Sequence, residues 1–134
     1  MIKEAEIQVR FADCDIMGHV NNAVYLSYFE QARMHYFSGM VGDQWDWKKQ
    51  GVILVKNEVE YLAPIFLHDT PKIKVLLESI GTKSFTLAYE VFVNGKIRSK
   101  GKSTLVCFDF YSQSTTEVFP EVREGLKMLE KCEA

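Results

Sequence analysis

The stretch Asn22-Ala23-Val24-Tyr25-Leu26-Ser27-Tyr28-Phe29-Glu30-Gln31-Ala32-Arg33-Met34-His35-Tyr36-Phe37-Ser38-Gly39-Met40 decides how the rest of the chain must be arranged. Tyr25, Phe29, Ala32 and Tyr36 recur at helical spacing, which predicts one helix of roughly five turns from Asn22 to about Met40. Val24, Leu26, Tyr28, Met34 and Phe37 spread apolar character around its other faces. Glu30 and Arg33 are its only fully charged side chains, and this pair reads as scaffolding inside the helix. A helix of this kind is expected to be largely enclosed by the rest of the protein.

What encloses it reads as strand. Before the helix, Ile7, Val9 and Phe11 alternate with Gln8 and Arg10, predicting a first strand over residues 3–11. After Gly51 the pattern returns to period two: Val55, Asn57, Val59 and Tyr61, then Ile73, Val75 and Leu77, then the row Phe85, Leu87, Tyr89, Val91 and Val93. Asn94-Gly95 marks a hairpin, since both central positions of a type I′ turn need positive φ. A last long strand is expected from about Lys96 to Phe110. Pro120 then opens a short amphipathic helix with Val122, Leu126 and Leu129 on one face. The expected fold class is α+β, a curved antiparallel sheet wrapped around one long central helix, filling residues 1–134 as a single domain.

Composition narrows the function. The chain is 47% apolar and 25% charged with net charge −2, so it carries no basic block for a row of nucleic-acid phosphates. The N-terminus lacks the apolar core of a signal peptide, and no apolar run approaches membrane-spanning length. Cys14, Cys107 and Cys132 are too few and too scattered for a disulfide framework or a zinc site. A soluble, cytoplasmic protein with no nucleic-acid and no membrane partner is the expectation.

Chemistry is concentrated just before the helix, in Asp13-Cys14-Asp15-Ile16-Met17-Gly18-His19-Val20-Asn21-Asn22-Ala23-Val24-Tyr25. Such polar density beside a buried segment is costly unless hydrogen-bonded or used for chemistry. Asparagine at a helix start also predicts an N-cap, placing free backbone N–H groups near a carboxylate, the arrangement that acyl transfer uses. Asp13-x-Asp15-x-x-Gly18 resembles an EF-hand start, but Met17 and Val24 occupy positions where calcium needs oxygen ligands. A phosphatase of the haloacid dehalogenase kind would need a parallel core that the antiparallel signals contradict. A mononuclear metal site on Asp13, Asp15 and His19 has no clear fourth ligand, so no metal and no cofactor is expected. Cys14 lies between two carboxylates that disfavour its thiolate, and reads as packing.

Arg10-Phe11-x-Asp13-x-Asp15-x-x-Gly18-His19-Val20-Asn21-Asn22-x-x-Tyr25, followed by Tyr28-Phe29-Glu30-x-Ala32-Arg33, resembles the signature of hotdog-fold acyl thioesterases of the 4-hydroxybenzoyl-CoA thioesterase family. The likeness continues through Tyr61-Leu62-Ala63-Pro64, Asp69 and Lys83-Ser84-Phe85, nearly the whole chain. It implies a hotdog fold and hydrolysis of acyl-CoA. Asp15 matches the family's catalytic carboxylate, acting as general base or nucleophile, and the N–H of Asn22 matches a donor that polarises the thioester carbonyl. His19 matches a histidine shared with plant acyl-carrier-protein thioesterases, which carry a catalytic Asn where this chain has Met17. Asn21 and His19 are candidates to orient water or substrate, and Tyr25, with Tyr28, Phe29 and the Trp45/Trp47 loop, to line the acyl chain. Lys83 is a candidate for the CoA phosphates. The resemblance also implies a homodimer or a dimer of dimers, and open strand edges argue the same way. The competing readings are a non-catalytic acyl-thioester-binding hotdog domain, an acyl-carrier-protein thioesterase, and a dehydratase, which would need a differently placed His/Asp pair.

Overall fold

The period-two segments pair into one antiparallel sheet in the computed structural model, which describes residues 2–132. The strands are β1 (Ala5–Glu6), β2 (Gln50–Tyr61), β3 (Lys72–Ile80), β4 (Ser84–Val93), β5 (Lys96–Asp109) and β6 (Ser114–Thr116). The helices are α1 (Val24–Val41) and α2 (Pro120–Leu126). Neighbouring strands run β1-β3-β4-β5-β2, with β6 attached to β5, and the sheet curls around α1 as the sequence predicts.

One face of α1 builds the core. Tyr25, Tyr28, Phe29, Ala32, Arg33, Tyr36 and Phe37 are buried, a stripe at three- and four-residue steps. Phe29 stacks flat on Tyr89 of β4, with ring centroids 4.3 Å apart. Gly101 of β5 makes that stack possible, because a Cβ there would lie 2.4 Å from the Phe29 ring and 2.9 Å from the Glu58 carbonyl. Arg33 is buried beside them. Its Nη1 donates to the Tyr89 hydroxyl at 3.2 Å and reaches Ser103 Oγ at 3.5 Å, and Ser103 donates to Asn57 Oδ1 at 2.5 Å. A polar chain thus crosses from the helix to β2 through the sheet interior.

The outer face of the sheet is charged in rows. Lys74, Glu90, Lys100 and Glu60 stand directly opposite one another across four strands, alternating in sign. Opposed pairs of this kind favour the observed register.

Several elements depart from the expected boundaries. The first strand pairs only at Ala5 and Glu6; Ile7 and Val9 stay buried, but Phe11 opens a 3-10 turn over Phe11–Asp13 and projects into solvent. Helix α1 starts at Val24 with Ala23 as its cap residue, not at Asn22. It is enclosed along one side rather than all round, with Leu26 and Met34 exposed, because the sheet curls past one face only. Strand β6 has no period-two signal in its three polar residues, and it forms by adding to the free side of β5. The Asn94-Gly95 hairpin holds, with φ of 52° and 76°. Leu129 is buried as expected but lies beyond the end of α2.

Candidate active site

The loop before α1 is pinned at both ends. Asp13 is buried and accepts hydrogen bonds from the Arg10 N–H at 2.9 Å, the Arg10 guanidinium at 3.0 Å and the Tyr28 hydroxyl at 2.7 Å. Burial alone would raise the Asp13 carboxyl, but these donors outweigh it and hold the group below the usual carboxylate range. The Tyr28 phenol moves the other way, raised by burial and then by its bond to Asp13. Asp13 is therefore the anchor of the loop.

Asp15 sits two residues on, on the exposed side of the same loop. Its Oδ1 accepts the N–H groups of Met17 at 2.9 Å and His19 at 3.3 Å, and its own N–H donates to the His19 carbonyl at 2.8 Å. These bonds fold residues 15–19 into a tight turn and fix one carboxylate oxygen, while Oδ2 takes no donor among the described residues. His19 is half-buried, packed edge-on against Phe66 with centroids 5.1 Å apart. Val20 N–H donates to Ile65 O at 2.8 Å, so the loop is stitched to the Pro64–Phe66 segment.

The helix start lies across from this turn. Asn21 Oδ1 accepts the Ala23 N–H at 3.0 Å, and the Val24 N–H is taken by the Asn21 carbonyl at 2.9 Å. The N–H groups of Asn22 and Tyr25 take no acceptor among the described residues, leaving the donors that an N-terminal turn presents. Tyr61, at the end of β2, donates its hydroxyl to the Asn22 carbonyl at 2.7 Å and stands edge-on to Tyr25 at 4.8 Å. Behind it, Arg98 Nη1 donates to the Pro64 carbonyl at 2.5 Å and Asp69 accepts the Phe66 N–H at 2.8 Å, which holds the wall in place.

Together these groups line a cleft of about 250 Å³ bounded by Asp15, His19, Val20, Asn22, Tyr25 and Tyr61–Pro64. The structure thus brings Asp15, His19, Asn22 and Tyr25 to one place. It turns the Asn21 side chain back onto the helix start. Lys83 lies in the turn between β3 and β4, where its carbonyl accepts the Cys107 N–H. That turn is level with Val106 and Ile53, whereas Tyr61 is eight residues further along β2, so Lys83 is at the opposite end of the sheet from Asp15. Sequence reasoning did not single out Tyr61 as a site residue, although its place before Leu62-Ala63-Pro64, at the close of an alternating run, was the available signal. Asp13, Asp15 and His19 do not converge, and among the described residues no three His, Cys, Asp or Glu side chains gather to hold a metal. A larger open groove of about 890 Å³ lies between residues 2–6, β3 and Met128–Glu130, where Lys74 pairs with Glu130 at 2.5 Å.

Comparison with known proteins identifies the family and the fold. Residues 9–126 match the family model described as the thioesterase-like superfamily. The long-chain acyl-CoA thioesterase FadM of Escherichia coli is 29% identical over 131 residues, covering 96% of this chain and 99% of that protein. A thioesterase from Thermus thermophilus solved in complex with coenzyme A and Zn is 34% identical, with a TM-score of 0.83 over 96% of this chain and 93% of that one. A thioesterase structure from Bacillus stearothermophilus, at 24% identity, shares the fold with a TM-score of 0.87, covering 98% of both chains.

Proposed function

The chain belongs to the thioesterase-like superfamily, a family of thioester hydrolases with the hotdog fold, and from that membership and its cleft we propose that it hydrolyses acyl-CoA at Asp15. The observation that carries the reading is a carboxylate with one free oxygen sharing a cleft with the unengaged N–H of Asn22. The thioester carbonyl accepts from Asn22 and Tyr25 at the positive end of α1, which stabilises the oxyanion as it forms. Asp15 takes a proton from the attacking water, or attacks the carbonyl to give a mixed anhydride that water then cleaves; either way the products are the free acid and the CoA thiol. The Met17 and His19 N–H groups hold the carboxylate at one oxygen, so the other keeps its aim. His19, packed on Phe66, orients water or thioester from the opposite wall. The acyl chain leaves the cleft along Tyr25 and Leu62. A homodimer completes the working unit.

Thiol release across aryl, short and long acyl-CoAs tests this. Turnover that disappears in folded Asp15→Asn protein supports the assignment. Acyl-CoA affinity without turnover in the parent protein identifies a binding domain instead.

A further inference from the structure

Strand β5 bulges at Arg98. Its pairing with β4 passes from Val91–Ser99 to Phe92–Ile97, so Arg98 has no opposite residue there, and its pairing with β2 stops beside it, at Tyr61–Ser99. A bulge re-aims a side chain and can end a strand pairing, which is why bulges recur next to active sites. Here the Arg98 carbonyl accepts the N–H groups of Leu62 at 2.9 Å and Ala63 at 3.1 Å, while the guanidinium donates to the Pro64 carbonyl at 2.5 Å. One residue thus holds three consecutive residues of the cleft wall. Asp69 stands 3.8 Å from the same guanidinium nitrogen and accepts the Phe66 N–H at 2.8 Å, which ties down the far end of the wall. The two side chains are only 20% and 19% exposed, so solvent screens the pair less than it would at the open surface.

That wall touches both halves of the cleft. At one end Tyr61 donates to the Asn22 carbonyl, at the helix start that offers the unengaged N–H groups. At the other, Ile65 accepts the Val20 N–H at 2.8 Å and Phe66 meets the His19 ring edge-on at 5.1 Å, on the loop that carries Asp15. The separation between carboxylate and oxyanion donors is therefore set by how firmly residues 61–66 are held. A misplacement of about 1 Å can cost about 10²-fold in rate. We propose that Arg98 and Asp69 are the positioning pair of the reaction. Neither lines the cleft, and together they hold the wall so that Asp15, His19 and Asn22 keep their reacting geometry. This role rests on the assignment of hydrolysis to Asp15. Arginine suits it because a planar fork meets a carbonyl and a carboxylate at once, whereas lysine offers a single charged point.

Steady-state kinetics of thiol release, with the His19 ring protons followed by NMR, test the pair at equal concentrations of folded protein. In Arg98→Lys, kcat should fall about tenfold while KM for acyl-CoA moves less than about threefold. The His19 ring signals should shift with it, because Phe66 moves beside them. Asp69→Asn keeps an acceptor oxygen for the Phe66 N–H but loses the charge facing Arg98, so kcat should fall by a smaller factor, about threefold. Arg98→Ala should lose about 10²-fold, and ethylguanidinium at concentrations that leave the parent rate unchanged should restore part of it. Should Arg98→Ala fail to fold, the other two variants decide. A role confined to stability would lower the melting temperature and leave kcat and the His19 signals of the folded variants at parent values, which overturns the assignment. A loss confined to KM overturns it too. Turnover that survives Asp15→Asn refutes the Asp15 reading and this pair with it. Turnover that Asp15→Asn abolishes and the Arg98 and Asp69 variants leave intact refutes the pair alone.

Discussion

Asp13 and Asp15 are two residues apart, a spacing that would put both on one face of an extended strand. They face opposite ways, because Asp13 closes the 3-10 turn over Phe11–Asp13 and Asp15 opens the tight turn that follows. Asp13 faces in and is held by Arg10 and Tyr28. Its pKa in the folded chain is below the roughly 3.9 of an unfolded aspartate, so its contribution to stability is complete above about pH 4 and is lost as the pH falls through the folded value. Asp13→Asn should therefore melt earlier than the parent at pH 7, and the gap should narrow as the pH is lowered below about 4; melting curves across acid pH check the sign. Asp15 faces out, and Asp15→Asn should keep the fold while turnover drops by about 10²–10⁴-fold, read by thiol release. Tyr61 reaches the candidate site through its hydroxyl, which donates to the Asn22 carbonyl. Tyr61→Phe keeps the ring against Tyr25 but loses the bond to the Asn22 carbonyl, so kcat should fall about tenfold with KM and melting temperature nearly unchanged, as expected for a lost transition-state interaction.

At the scale of elements, strands and hairpin were legible because alternation and Asn94-Gly95 are local properties. Three features were not. Phe11 continues the apolar alternation of Ile7 and Val9, yet it lies outside the core, since the chain must turn there for Asp13 to reach Tyr28. The cap on α1 could not be read from Asn22, because Tyr61, 39 residues downstream, claims the Asn22 carbonyl while the side chain of Asn21 serves the turn. Apolar residues on every face of α1 gave no direction to its burial, and only the curl of the sheet shows which side is covered. Of the site, Asp15, His19, Asn22 and Tyr25 were visible as one dense polar segment. The wall opposite, Tyr61–Pro64, comes from a strand end, and its proximity is a matter of topology. Gly101 lies closely under Phe29, where both the ring and the Glu58 carbonyl block a methyl group. Gly101→Ala should lower stability by about 1–3 kcal/mol, measured from the urea midpoint, through displacement of the Phe29–Tyr89 stack.

For the whole molecule, Lys83 lies at the opposite end of the sheet from Asp15 within one chain, so a contact between Lys83 and a CoA bound at Asp15 would need a second copy of the chain. Lys83→Ala should raise KM for acyl-CoA several-fold and leave a short thioester without the nucleotide unaffected; an equal effect on both would place Lys83 in folding instead. The buried Arg33–Ser103–Asn57 chain bears on how the protein reaches this state at all. Pairing of β2 with β5 joins residues 38 to 59 positions apart, the slow kind of contact in folding, and a slip of one residue would turn Lys56 or Glu58 inward. A slipped strand would also leave the guanidinium of Arg33 without the hydroxyl that Asn57 helps to hold. The buried cation therefore penalises near-native misalignments of β2 that its apolar residues alone would tolerate.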